Sequence, residues 1–295
     1  MNDFLQFVFK VSLIIFMVGN LLAMGLQLRV SDAVAPLKNA RFVFRTLFAS
    51  FIFSPALAFV VTQAVPMERP YAIGMLLLGL APAAPFLPLV VKNAKGDLAA
   101  AAGLMLLASL GTILVMPWGI PIIAPGMSAN AWSIGRPLLF LILFPLAVGL
   151  GVKYRFPNAA DWLYGFVKAV TAVGTIVFLG VVIVLNFHGF VGAIGSRAFL
   201  AQLLFVPGLT VGGYLIAAGM PREQKSVMSL GMCTRNIGAA AAIVGTNGDQ
   251  KIMVMLVIAT IATVVVSFGA AAWFARSARQ RQHRGAPEKA VAAKA

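Results

Sequence analysis

Residues 79–97 read GLAPAAPFLPLVVKNAKGD, an apolar run carrying three prolines, Pro82, Pro85 and Pro88, spaced three apart. Proline removes a backbone donor and its ring clashes with the carbonyl of the preceding turn, so a helix through this stretch is expected to break or kink near its middle. A second run, SLGMCTRNIGAAAAIV at 229–244, sets Gly231 and Gly238 around Thr234, Arg235 and Asn236. Glycine loosens the hydrogen-bond ladder, and backbone opened at membrane depth survives only where protein or a wet cavity satisfies it. A pair of Gly/Pro-interrupted apolar segments at corresponding positions of two halves points to a transporter site built from inverted repeats. Half-helix N-termini at such breaks turn positive partial charge toward the site, which favours anions.

The chain around these two runs has 295 residues, 61% of them hydrophobic and 11% charged, with a mean hydropathy of +0.95. Soluble domains carry an apolar share nearer one half. Runs of about 20 apolar residues, each long enough to cross a hydrocarbon core of roughly 30 Å as a helix, recur from end to end. The sequence therefore predicts an all-α polytopic membrane protein with nine spans, at about 4–28, 41–64, 70–94, 97–120, 133–155, 162–187, 196–219, 223–247 and 250–275. The first run, Phe4 to Leu28, lacks a basic leader and exceeds a signal-peptide core, so it is expected to be retained.

The basic residues test the count. Of the 23 lysines and arginines, Lys10, Arg69, Arg136, Arg197 and Lys251 fall on one side of a nine-span arrangement and Arg235 lies mid-span. All the others fall on the opposite side. The positive-inside rule then predicts a multi-pass protein of a cell (inner) membrane with its N-terminus outside and its C-terminus cytoplasmic. Lys10, Arg45, Lys92 and Lys168 lie within about two turns of a helix end, so they are expected to snorkel to the headgroups. A net charge of +15 is also a footprint of nucleic-acid binders; its placement in short loops and the tail predicts contact with membrane lipids and not with nucleic acid. Residues 276–295 are expected to form a disordered, basic cytoplasmic tail beside anionic headgroups. Trp118, Trp132, Trp162 and Trp273 lie near span ends, as an interfacial belt requires.

Arg235 sits too deep to snorkel. The eight acidic residues, Asp3, Asp32, Glu68, Asp97, Asp161, Glu223, Asp249 and Glu288, all fall in loops, termini or first helical turns, so no carboxylate is available at its depth. An intramembrane ionisable residue is functional by default. The substrate-binding candidates are accordingly Arg235, Asn236, Thr234, Pro85 and Pro88, with Pro82, Pro85, Pro88, Gly231 and Gly238 as helix breakers. Two readings of Arg235 stay open: contact with an anion, or bracing of the carbonyls that the breaks expose, for which its five donors suit it. The breaks could likewise be packing kinks and close helix approaches, and Asn236 could contact substrate or cap a helix. The single cysteine, Cys233, excludes an internal disulfide. Hydrolase and P-loop motifs are absent and the two histidines, His188 and His283, form no cluster, so neither an enzyme nor a cofactor or metal site is expected.

These stretches, together with AMGLQLRVSDA at 23–33 and the NAKGDLAA junction at 93–100, resemble the bile acid:sodium symporter family over nearly the whole chain. The resemblance implies a fold of two inverted five-helix repeats, divided into a core and a panel, here in a version lacking the first helix. One transmembrane domain would then span 1–275, with a core at about 41–120 and 196–275 and a panel at about 4–28 and 133–187. It also implies where sodium ligands should lie, and they are missing. Leu87 and Pro88 stand at the family's ligating Ser-Asn pair, Gly231 at its glutamate and Arg235 at its glutamine, while Asn236 matches the asparagine that follows. The hydroxyl ligands of the next helix fall near Ala101 and Met105. A hard cation needs several oxygen ligands, so the expectation is a secondary transporter of a small organic anion by alternating access, independent of sodium, with Arg235 in place of the bound cation. The alternatives are sodium-coupled organic anion or bile acid symport through backbone ligands, and a membrane sensor that no longer transports.

Overall fold

The computed structural model describes residues 2–123, 131–193, 197–244 and 249–292. The first residue of the span expected at 196–219, the end of that expected at 223–247 and the last residues of the tail, Lys294 included, lie outside the described residues. In chain order the first helices are α1 (Asn2–Gln27), a short α2 (Val30–Val34), α3 (Ala40–Phe48) and α4 (Ser54–Ala64). They are followed by α5 (Arg69–Leu80), α6 (Leu87–Asn93), α7 (Leu98–Ile123), α8 (Ala131–Leu138) and α9 (Phe144–Arg155). The chain then forms α10 (Pro157–Ala193), α11 (Arg197–Ile216), α12 (Arg222–Cys233), α13 (Ile237–Val244) and α14 (Gln250–Ala292). Among the described residues seven helical segments are long and apolar enough to cross a membrane, which makes this a multi-pass, all-α membrane protein.

Two of those seven contain one wide turn each. α3 runs into α4 through a π turn at Ala49–Phe53, and α8 into α9 through a second at Leu139–Leu143. In both cases a proline follows two residues later, Pro55 and Pro145. A proline ring would strike the carbonyl four residues back in a regular helix, and the extra residue in the turn shifts that carbonyl away. The first π turn also directs Ser54 into the interior, where it is fully buried.

The two remaining apolar segments are the interrupted ones, and their breaks fall in slightly different places from those expected. The first opens between α5 and α6, at residues 81–86, so Pro82 and Pro85 lie in the break. Pro88 does not: it occupies the first turn of α6, where a missing N–H is no loss because that donor has no helical acceptor. The second break is only Thr234, Arg235 and Asn236. Gly231 is helical within α12 and Gly238 lies in the first turn of α13, so neither glycine makes the break. Gly231 serves close packing instead: a Cβ there would stand 2.6 Å from Cδ1 of the buried Leu104 on α7.

The junction 93–97 is a helix stop followed at once by a helix start. Lys95 takes the left-handed conformation, φ 56°, while Gly96 N–H donates to the Val91 carbonyl at 2.9 Å and Lys95 N–H to that of Lys92 at 3.1 Å. These two bonds close α6 in the usual C-terminal pattern. Asp97 Oδ1 then accepts from the N–H groups of Ala99 at 2.8 Å and Ala100 at 3.1 Å, capping α7.

Helix α1 packs along α9 and α10, whereas α5 lies against α4, α7 and α14, and α11 against α12 and α14. The α1–α9 crossing depends on two facing glycines. A Cβ on Gly25 would stand 2.5 Å from the Leu146 carbonyl oxygen, and one on Gly149 would stand 2.6 Å from that of Leu22. Small residues of this kind let membrane helices approach backbone to backbone. The outer surface is apolar, and Trp118, Trp132, Trp162 and Trp273 are all exposed on it. α14 continues to Ala292, through most of the stretch for which a disordered tail is expected. Its arginines, glutamines and alanines are good helix formers, and extending an existing helix needs no new nucleation.

Candidate functional site

The two breaks meet. Pro82 and Arg235 form an isolated antiparallel bridge, and Asn236 N–H donates to the Ala81 carbonyl at 2.9 Å. The unwound backbone of each segment thus satisfies part of the other's lost ladder, as buried backbone polar groups require. Beside the bridge Ala83 has φ 57°, a left-handed conformation that costs an alanine about 1–2 kcal/mol and persists only where surroundings impose it. The flanking half-helices are matched, since α5 and α12 each contribute 12 residues before their break.

Within the second break the three side chains take different roles. Thr234 Oγ1 donates back to the Leu230 carbonyl at 2.9 Å and is fully buried, closing α12. Asn236 Oδ1 accepts from Ala239 N–H at 3.0 Å, capping α13. Arg235 is the largest fully buried side chain among the described residues, with 0% of its surface exposed. Its Nη1 donates to Ser54 Oγ, and Ser54 Oγ in turn donates to the Gly79 carbonyl at 2.8 Å. That carbonyl belongs to the last turn of α5, where helical acceptors lose their partners. Arg235 Nε and Nη2 have no hydrogen-bond partner among the described residues. A buried guanidinium with two unpaired nitrogens is an incomplete arrangement.

Arg235 and Asn236 stand at the wall of a cavity of about 630 Å³. The α5–α6 break contributes Ala84, Pro85 and Phe86, and Phe9 and Phe16 of α1 with Phe178 of α10 supply apolar walls. The polar groups are few: Gln6, Lys10, Arg235, Asn236 and Thr260, with no carboxylate among the lining residues. A mostly apolar cavity bordered by Lys10 and by the fully buried Arg235 suits an anion with an apolar body. Of the residues expected to bind substrate, the structure brings Arg235, Asn236 and Pro85 to this cavity. It leaves Pro88 out, because that residue sits past the break and lines a separate cavity with Asn20 and Lys92.

Sequence reasoning missed two participants. Ser54 lies 181 positions from Arg235, and its only local signal is the Ser-Pro step after an apolar run. Lys10, expected to snorkel, is exposed and also borders the cavity; its helical face carries Gln6 and Leu13 as well, a periodicity that identifies the face but not what opposes it. At the positions where the family resemblance would place sodium ligands the packing is apolar: Leu87, Ala101 and Met105 are fully buried, and a Cβ on Gly231 would stand 2.6 Å from Leu104 Cδ1. Among the described residues no cluster of three or more His, Cys, Asp or Glu side chains could hold a metal.

Apolar spanning helices that enclose two interrupted segments in contact, with a charged side chain locked at their meeting point, define a polytopic helical membrane protein of the transporter kind. The model of the Sodium Bile acid symporter family matches residues 13–194, and the chain belongs to that family, whose members are transporters and not enzymes. The match includes the α5–α6 break and ends before the α12–α13 break. No curated protein matches the chain.

Proposed function

We propose that the protein is a secondary transporter of a small organic anion, working by alternating access and without sodium, with the Arg235 guanidinium standing where its relatives hold a cation. The observation that carries this reading is the state of Arg235: wholly buried at the junction of two broken helices, bonded to one neutral hydroxyl, with Nε and Nη2 unpaired beside a cavity that no carboxylate lines. A fixed positive charge there would complement the anion and brace the breaks at once, the two roles that the sequence leaves open. The apolar filling around Gly231, Ala101 and Met105 supports independence from sodium, because it leaves few oxygens to replace a hydration shell.

In this reading the two interrupted segments are the third and eighth of nine spans. The equal 12-residue half-helices and the antiparallel bridge support an inverted-repeat relation between them. α1, α9 and α10 would form the panel and the remaining long helices the core, with the cavity at their boundary. Rocking of one against the other would expose the site alternately. The N-terminus would lie outside and the C-terminus in the cytoplasm of the inner membrane, as the placement of Lys and Arg demands. One comparison favours a second reading, coupling to sodium through backbone carbonyls: sodium stands in the family's own description.

Reconstituted vesicles decide between them. Uptake of taurocholate and of a panel of mono- and dicarboxylates is measured with and without a sodium gradient. The proposal expects at least one anion to be moved equally in both conditions, and expects Arg235→Ala and Arg235→Gln to lose that uptake while inserting normally. Uptake that needs the gradient favours sodium coupling. Full uptake by Arg235→Gln removes the site assignment.

A further inference from the structure

Basic side chains gather where α11 ends and α12 begins. Arg45 of α3 donates through Nη1 to the Ala218 carbonyl at 2.6 Å, pinning the turn between the two helices. Lys225, near the start of α12, holds its ammonium 5.5 Å from the centre of the Tyr214 ring on α11. Arg222 precedes Lys225 by three residues, so the two share a face of α12. On α14 the rings of Trp273 and Phe274 pack against Tyr214 at 6.2 and 5.9 Å, centroid to centroid. Arg276 follows Trp273 by three residues and is exposed on the same side of α14. Tyr214 thus brings the cations of α12 and α14 around one aromatic shelf.

No acid neutralises them. The carboxylate ion pairs among the described residues are Lys153 with Asp161 and Lys251 with Glu68. Glu223 belongs to the same turn of α12 but is one residue from Arg222 and two from Lys225, so it lies off their face. Next to this charge the two spans expose apolar stripes. Val211 and Leu215 are exposed on α11, and Val265 and Trp273 on α14. Between the latter two, Gly269 is also exposed, and a Cβ there would meet nothing within 4 Å. The α14 stripe therefore has an open notch one turn from Trp273.

We propose that this end of the bundle binds an anionic phospholipid, with its phosphate among Arg222, Lys225 and Arg276 and an acyl chain in the notch at Gly269. Clustered lysines and arginines beside a span attract anionic headgroups, and tryptophan and tyrosine favour the same depth. A free anion would use the cations alone, whereas a phospholipid also covers the apolar stripe that leads to them. The inference does not rest on the transport reading, because binding alone is measured.

The full-length protein in phosphatidylcholine nanodiscs receives a rising fraction of phosphatidylglycerol at constant ionic strength, and its thermal unfolding is followed. A ligand bound only by the folded state raises Tm saturably. Each basic residue near the surface is worth about 1 kcal/mol, or about 5-fold in affinity. Half-saturation is therefore expected to weaken about 5-fold in Arg222→Gln and about 25-fold in Arg222→Gln with Lys225→Gln. It should be retained in Lys225→Arg, and in Arg29→Gln with Arg155→Gln, which removes the same charge from the ends of α1 and α9. Gly269→Leu fills the notch and should weaken it without touching a charge. Should the double variant fail to fold, Arg222→Gln alone must show its shift, since that side chain is exposed. Inorganic phosphate in pure phosphatidylcholine should give no saturable rise. Absence of a saturable rise with phosphatidylglycerol, an unchanged half-saturation in Arg222→Gln, an equal shift in the Arg29 and Arg155 variant, or a response to phosphate matching that to the lipid overturns the proposal.

Discussion

Replacing Ser54 by alanine strikes the link between the two broken helices from a third helix. The hydroxyl accepts from Arg235 Nη1 and donates to the Gly79 carbonyl at 2.8 Å. Alanine therefore orphans two buried groups, one of them charged. Each unpaired buried group costs about 1–3 kcal/mol in soluble proteins. Polar contacts between membrane helices measure lower, averaging about 0.6 kcal/mol, because the unfolded chain in the bilayer finds other partners. Here the Gly79 carbonyl ends a helix and Arg235 already lacks two partners, so little remains to substitute, and a loss of about 2 kcal/mol is expected. Unfolding of the purified protein by titrated sodium dodecyl sulfate reads that loss, and uptake into vesicles is followed in parallel. Ser54→Thr, which keeps the hydroxyl, should restore most of both. If Ser54→Ala unfolds within about 0.5 kcal/mol of the wild type, well under the cost of one orphaned group, and transports normally, Arg235 is not held through Ser54 and the account of the clasp fails.

Other substitutions probe the packing that shapes the site. Gly231→Ala would press a methyl to within 2.6 Å of Leu104 Cδ1; since Leu104 is fully enclosed, overpacking of about 1–3 kcal/mol is expected, and Leu104→Ala in the same chain should recover part of it in a double-mutant cycle. Gly25→Ala and Gly149→Ala meet backbone oxygen and not a side chain, so neither can relax by a rotamer change. Each should abolish folded protein on size-exclusion chromatography, and monodisperse wild-type-like material from either variant would contradict the α1–α9 crossing.

The membrane class, the long apolar segments and the two interruptions were legible in the amino-acid order because the bilayer makes them local matters. A chain in hydrocarbon must satisfy its own backbone, so length and apolarity announce each crossing and Pro82 and Pro85 announce a break. Arg235 stood out for the same reason, as a charge with no carboxylate at its depth. What depended on the folded chain was every partnership across distance. The prolines could not say that Pro88 would fall into a tolerant first turn, nor the glycines that Gly231 faces Leu104 while the break opens at Thr234. Ser54 acquires its role only when a π turn forced by Pro55 points it at residues far along the chain. Lys10 and Lys92, alike in sequence as lysines near helix ends, are separated by what packs beside them: one borders the Arg235 cavity and the other bonds to Gln27 and Tyr164 in the next. Periodicity tells which face of a helix is shared, whereas the neighbour that meets it is chosen by the packing of the whole bundle.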